Sequence, residues 1–187
     1  MMARSGDQPI RVLRVIARMN VGGPAWQASV LTSGLDPSVF HSRLVCGRVA
    51  DGEADFADLR QSDLLVNRIP ALGRGVRPLD DLRALAALRR EIRSFQPHIV
   101  HTHTAKAGVL GRIAAISCRV PIRVHTYHGH LLTGYFGPLV VRIIRIVESL
   151  LARRTSALVA VGARVRDELI AAGIGRAGQY TIIPPGV

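Results

Sequence analysis

Apolar and polar positions along this chain follow two alternating periods. Short runs rich in β-branched residues read as strands: RVLRVIA (11–17), FHSRLVCG (40–47), LLVNRIP (64–70), HIVHTH (98–103), IRVHTYH (122–128), ALVAVG (157–162) and QYTIIP (179–184). Between them lie stretches with helical spacing. PAWQASVLTSGL (24–35) carries Trp26, Val30 and Leu31 behind a proline in its first turn, and GEADFADLRQSD (52–63) is short and polar. PLDDLRALAALRREIRSF (78–95) places Leu79, Leu82, Leu85 and Leu88 along one predicted apolar stripe. AKAGVLGRIAAISC (105–118), residues 138–154 and ARVRDELIAAG (163–173) complete the set. Strict strand–helix alternation over seven strands predicts an α/β fold with a mostly parallel sheet, doubly wound by helices on both faces.

With 187 residues, 48% of them hydrophobic, the chain can bury one substantial core. Residues 1–9 are expected as a disordered tail, 10–183 as the domain and 184–187 as the start of a linker. The longest apolar stretch, GPLVVRIIRIVESLLARR (137–154), is interrupted by Arg142, Arg145 and Glu148, so no transmembrane helix is expected. MMARSGDQPIRVLRVIA, at the N-terminus, has a charge inside every apolar run and lacks the core of a secretory signal. A cytoplasmic protein is the expectation, and Cys46 and Cys118, without metal or disulfide spacing, are expected as buried free thiols.

A net charge of +12 asks for an anionic partner. Only 4% of residues are aromatic and the arginines are scattered over several helices, so no specific nucleic acid is expected. Nucleotide diphosphates and anionic lipid surfaces are the other candidates.

In a doubly wound sheet, ligands bind beyond the carboxyl ends of the strands, which singles out three strand-to-helix turns. In ARMNVGGPAW, Gly22 and Gly23 precede a helix, where bare backbone N–H groups can approach an anion; a tight turn needing positive φ is the plain alternative. HTHTAKAG and HTYHGHLLTGYFG hold five of the seven histidines: His101, His103, His125, His128 and His130. His101 and His125, within strands, are expected as partly buried structural residues, and His103 and His128, at strand ends, as ligand-facing. Neither an HExxH sequence nor nearby carboxylates accompany them, so no metal and no cofactor is expected. Together with Gly129 and Lys106, these imidazoles suit a polyhydroxylated or phosphorylated molecule. Lys106 is the only lysine among 25 basic residues. As a compact, flexible point charge at a helix start it is expected to serve a ligand, against the alternative of a solvated surface lysine in an arginine-biased chain.

The stretches MNVGGPAWQASVLTSGLDP, PHIVHTHTAKAGVLGRIAA, VHTYHGHLLTGYF, ESLLARRTSALVAVGARVRDEL and the closing IIPPGV, in this order, carry a resemblance. The chain resembles the N-terminal half of family 4 glycosyltransferases, the retaining GT-B enzymes of polysaccharide and glycolipid assembly. The resemblance runs from Ile10 to the end; the family's usual closing sequence has asparagine where this chain has Pro185. It implies a Rossmann-like N-terminal, acceptor-side domain, with the glutamates that hold the donor lying in a second domain beyond Val187. The implied reaction moves a sugar from a nucleotide-diphosphate donor to a glycan or lipid-linked acceptor with retention, without a required metal.

By the same resemblance, Gly22 and Gly23 match the loop facing the donor phosphates and His128 matches the histidine that reaches the donor sugar or the reaction centre. His103, Lys106, Gly129 and His130 are the remaining expected substrate contacts. The alternatives are one half of a nucleotide-sugar 2-epimerase, which shares the architecture, and a non-catalytic binding module. The helix of residues 138–154 is expected to be a core helix. A second reading has Leu131, Leu132, Tyr135 and Phe136 dip into a membrane while Arg142, Arg145, Arg153 and Arg154 meet anionic headgroups, giving peripheral attachment to the inner face of the plasma membrane.

Overall fold

The structure, a computed structural model, describes residues 8–59, 66–73, 75–129 and 136–185. In chain order the elements are β1 (Ile10–Ile16), α1 (Gly23–Ser33), β2 (Phe40–Cys46), α2 (Phe56–Leu59), β3 (Val66–Arg68), α3 (Pro78–Phe95) and β4 (Ile99–His103). They continue with α4 (Ala105–Ser117), β5 (Ile122–Tyr127), α5 (Pro138–Ala152), β6 (Ala157–Ala160), α6 (Ala163–Ala171), a 3-10 turn (Ala177–Gln179) and β7 (Tyr180–Ile182). All seven strands expected from the two periods are present, each shortened by one or more residues at an end or, for β1, shifted by one. The short helix of the 52–63 stretch is a single turn in its described part.

The sheet has the order β3-β2-β1-β4-β5-β6-β7, and every neighbouring pair is parallel. β1 is the turning point: the chain first builds outward through β2 and β3, then returns to add β4 on the other side. Because side chains alternate across a strand, β1 feeds two cores. Leu13 and Val15 pack with Leu88, Ile92 and Phe95 of α3 and Ala107 and Ala114 of α4. Ile16 packs on the opposite face with Met19, Ala25, Ala28, Leu44 and Cys46, under α1. A third cluster, Tyr127, Ala152, Leu158, Leu169 and Ile174, joins β5 and β6 to α5 and α6.

Two expectations about burial are corrected here. The buried stripe of α3 is Ala84, Leu88, Ile92 and Phe95, whereas Leu79 and Leu82 are 71% and 64% exposed. Leucines three residues apart drift around the helix by about 60° at each step, so Leu79 and Leu82 leave the face that Ala84, Leu88 and Ile92, four apart, present to the core. Helix α5, expected inside, buries Glu148, Leu151 and Ala152 and leaves Leu139, Ile143, Ile146 and Leu150 exposed. Of the thiols, Cys46 is buried and Cys118 partly so.

Gly47, which the sequence did not single out, ends β2 where three segments cross. A Cβ there would lie 1.3 Å from the Leu72 carbonyl oxygen and 2.5 Å from that of Ala17, which accepts the Gly47 N–H. Only glycine lets these loops close together at the carboxyl edge of the sheet.

Candidate functional site

Strand order reverses between β1 and β4, the place where doubly wound sheets form a crevice beyond the carboxyl ends of their strands, and the turns that follow β1, β4 and β5 lie at that edge. After β1, Gly22 and Gly23 start α1. Gly22 has an extended backbone (φ 161, ψ 169), neither glycine lies in the left-handed region, and a Cβ on Gly23 would touch nothing within 4 Å. The tight-turn explanation therefore fails for this pair. Glycine here leaves backbone open to the crevice, although Pro24 removes one of the N–H groups at the helix start.

After β4 comes Thr104, with φ 64 and ψ 159, a backbone region almost reserved for glycine that costs about 1–3 kcal/mol. Its hydroxyl accepts the Ala17 N–H at 3.3 Å, tying the β4 turn to the end of β1 across the crevice. Nothing in the residue type signals this strain, because threonine is an ordinary N-cap residue. After β5, Gly129 has φ +139 with open space where a Cβ would be, so its place in the candidate set has a conformational reason as well. His130, Leu131, Leu132 and Tyr135 lie outside the described residues.

The histidines divide between the two faces of the sheet. In register, His101 pairs with Val124 and His103 with Thr126, so His101, His103, Thr126 and His128 share one face. The rings of His101 and His103 stack at 4.3 Å, His101 Nε2 is 2.8 Å from Thr126 Oγ1, and His103 Nδ1 is 3.1 Å from His128 Nε2. His103 is fully buried, and its Nε2 has no partner among the described residues. The expectation that His103 itself meets a ligand is thus revised: it stands behind His128 and orients it, while His128 is only partly buried.

All three imidazoles are held neutral. Burial pushes His128 down to about 4. Burial first, then Arg14 and His128, lowers His101 to about 3, and burial first, with the neighbouring imidazoles and Arg14 opposing a further positive charge, holds His103 well below its ordinary value. Arg14, opposite His101 on β1, is itself buried, bonded through Nη1 to Ser42 Oγ at 2.9 Å and lowered to about 10 by desolvation. An arginine inside the apolar run RVLRVIA was a legible signal that the sequence reading passed over.

On the other face, His125 is enclosed. Its Nδ1 lies 2.8 Å from Thr102 Oγ1 and 3.1 Å from the Thr102 carbonyl oxygen. Gly108 of α4 sits on it: a Cβ there would be 2.4 Å from His125 Cε1. One turn on, Arg112 donates from Nη2 to both Glu148 oxygens at 2.9 and 2.7 Å, and Tyr127 donates to Glu148 Oε2 at 2.7 Å, all buried. Burial opposes the Arg112 charge, and Glu148 and Tyr127 more than restore it, so its pKa is raised.

Lys106 does not present a free charge to the crevice. Its ammonium lies 2.5 Å from Asp81 Oδ1 and donates to the Gly75 carbonyl, with the side chain 11% exposed. Asp81 also accepts the Arg77 N–H at the start of α3. The lone lysine is a clamp between α4 and the first turn of α3, and a compact ammonium fits between a carboxylate and a carbonyl where a planar fork would not. Among the described residues, no group of three or more histidine, cysteine, aspartate or glutamate side chains is arranged to hold a metal ion.

Comparison with known proteins agrees with this architecture. The Escherichia coli UDP-Gal:alpha-D-GlcNAc-diphosphoundecaprenol alpha-1,3-galactosyltransferase is 30% identical over 119 residues, covering 64% of this chain and 31% of that protein. The Staphylococcus aureus capsular polysaccharide biosynthesis glycosyltransferase CapM is 23% identical over 130 residues, covering 70% and 34%. Among solved structures, the Neisseria meningitidis UDP-GlcNAc 2-epimerase bound to UDP-GlcNAc superposes with a TM-score of 0.68 at 12% identity, over 92% of this chain and 45% of that one. The chain spans about a third of the length of these curated relatives and less than half of that structure. Its sheet is the N-terminal half of a GT-B fold. Residues 22–186, which run from the open glycine turn through every strand after β1, match the glycosyl transferase 4-like domain, and the chain belongs to that family.

Proposed function

We propose that this chain is the half of a two-domain enzyme that meets a nucleotide-diphosphate sugar at the carboxyl ends of β1, β4 and β5. The observation that carries the reading is the strand-order reversal at β1, where the open Gly22–Gly23 backbone, strained Thr104 and the His128–Gly129 turn follow the carboxyl ends of β1, β4 and β5. Backbone N–H groups at the start of α1 suit diphosphate oxygens. His128, neutral and backed by His103, can hydrogen-bond a sugar hydroxyl or take a proton from one.

Two reactions fit such a site. Family membership and two relatives named as glycosyltransferases favour transfer to a glycan or lipid-linked acceptor. The superposition on a 2-epimerase, a likeness of fold, favours a reaction confined to the nucleotide sugar itself. In either case the work belongs in the cytoplasm, and this chain alone binds the donor weakly and turns nothing over.

Incubating the full-length protein with UDP-sugars separates the readings. Nucleotide release that depends on an added acceptor supports transfer, and a new UDP-sugar formed without acceptor supports epimerisation; neither product from any UDP-sugar leaves a binding module. His128→Ala is expected to lower kcat more than it raises KM, because its contact is made at the reacting centre. An unchanged kcat would make His128 a structural residue.

A further inference from the structure

We infer that His103 is a positioning residue: by donating from Nδ1 to His128 Nε2 it keeps the His128 proton on Nδ1, so that His128 meets a ligand as a hydrogen-bond donor and not as a base. His103 Nδ1 and His128 Nε2 are 3.1 Å apart. That contact engages one nitrogen of His128 and leaves Nδ1 for a ligand, on a side chain that is only partly buried. Both imidazoles are neutral, so each carries one hydrogen, and one hydrogen lies between the rings. If it belongs to His128, the hydrogen of His103 sits on Nε2. If it belongs to His103, Nε2 of His103 is a bare lone pair, and the hydrogen of His128 sits on Nδ1.

The surroundings of His103 Nε2 decide between these arrangements. That nitrogen is sealed in a side chain of 0% exposure and has no hydrogen-bond partner among the described residues. Thr126, directly opposite His103 on β5, has its hydroxyl engaged by His101 Nε2 at 2.8 Å. The His101 ring stacks on His103 at 4.3 Å, and the two contacts together hold the His103 ring in place. Arg14, the guanidinium that bears on His103, has donors only, and no carboxylate is among the groups that shift this imidazole. Either arrangement leaves Nε2 unpaired. In surroundings made positive by Arg14, a lone pair is the cheaper of the two to leave so, because a buried N–H would present one more positive end with nothing to receive it. The hydrogen between the rings therefore belongs to His103. His128 then offers Nδ1–H to a phosphate, carbonyl, ether or hydroxyl oxygen, and it cannot remove a hydroxyl proton. The kind of ligand rests on the nucleotide-sugar reading; the placement of the two hydrogens does not.

Long-range proton–nitrogen NMR correlation spectra of the full-length protein, isotope-labelled at histidine, show at neutral pH which nitrogen of each ring carries the hydrogen. His103→Asn and His128→Asn identify the two rings by the signals that vanish. The expected result is Nδ1–H in both, the opposite of the form that a free imidazole prefers. His103→Leu should let His128 revert to Nε2–H. His103→Asn, whose amide nitrogen can stand where Nδ1 stood, should keep it on Nδ1. In the UDP-sugar assay His103→Leu should lower kcat about tenfold and His103→Asn less, on the scale of one hydrogen bond. An Nε2–H signal from His128 in the wild type overturns the inference, and that spectrum alone decides if the leucine variant does not fold. Nδ1–H persisting at His128 in His103→Leu, or an unchanged kcat in that variant, overturns the positioning role. The expected spectra from a protein that turns over no UDP-sugar would support the inference and count against the nucleotide-sugar reading alone.

Discussion

Strands β4 and β5 present their alternate residues to two very different settings. On the α4 and α5 side, Thr102, His125 and Tyr127 meet matched partners: hydroxyl against imidazole, and a buried guanidinium against a carboxylate that also accepts a hydrogen bond from the tyrosine hydroxyl. On the other side, His101, His103 and His128 face one another and Arg14, and the groups that shift them are all cationic or neutral. The first setting is closed by its own charges. In the second the imidazoles stay neutral chiefly because burial suppresses protonation, with Arg14 beside them adding to the effect, and His128 is the partly exposed member. A sheet of this kind can devote one face of the same two strands to cohesion and keep the other short of a negative charge.

The largest expected effect tests the closed side. Glu148→Ala leaves Arg112 buried without its carboxylate and Tyr127 without its acceptor, a change that costs about 3–5 kcal/mol. A chain of this size should then melt about 10 °C lower by circular dichroism. A shift of only a degree or two would deny the network its structural role.

The open side is tested by acid. A histidine whose pKa is lower in the folded than in the unfolded chain contributes stability that is complete above the unfolded value, about 6.5, and is lost as pH falls toward the folded value, here about 4 or below. Each fully buried imidazole should account for about 2 kcal/mol lost between pH about 6.5 and 5. Thermal melts across that window should show the loss, and an added nucleoside diphosphate should reduce it. A flat profile would mean that the imidazoles protonate freely in the folded chain.

The closeness of α4 to the closed face gives the next effect. Gly108→Ala would push a methyl group against His125 and should destabilise by about 1–3 kcal/mol in a denaturant titration. At the boundary of the two settings, Lys106→Arg should cost about 1 kcal/mol, because the guanidinium cannot sit between Asp81 and the Gly75 carbonyl as the ammonium does. Lost activity with unchanged stability would return Lys106 to the ligand.

Much of the fold was readable along the chain. The α3 limits, Pro78 and Phe95, coincide with those expected from its proline start and the Gln-Pro that follows. Of the site, the glycine turn after β1 and the turn at His128 and Gly129 lie where they were sought. What the reading missed were contacts of long range. The partners of Lys106 are 25 and 31 residues away, at Asp81 and Gly75, and Glu148 is 36 from Arg112. No spacing rule within one helix or strand reaches that far. The stripe on α5 was visible as leucines and isoleucines, but apolar periodicity states that a face exists without stating what covers it.

The sequence by itself determined the alternation of strands and helices, the parallel sheet and the turns in which a ligand could lie. These follow from backbone sterics and side-chain period, which act between residues a turn or two apart. Only the tertiary structure decided that β1 and β4 lie side by side, so that a crevice opens between their turns, that His103 stands behind His128, that the lone lysine is a clamp, and that α5 keeps an apolar face outside. Those outcomes depend on which distant segments pack together, and burial, which suppresses the histidine charges and sets the Arg112 pair, exists only once they have.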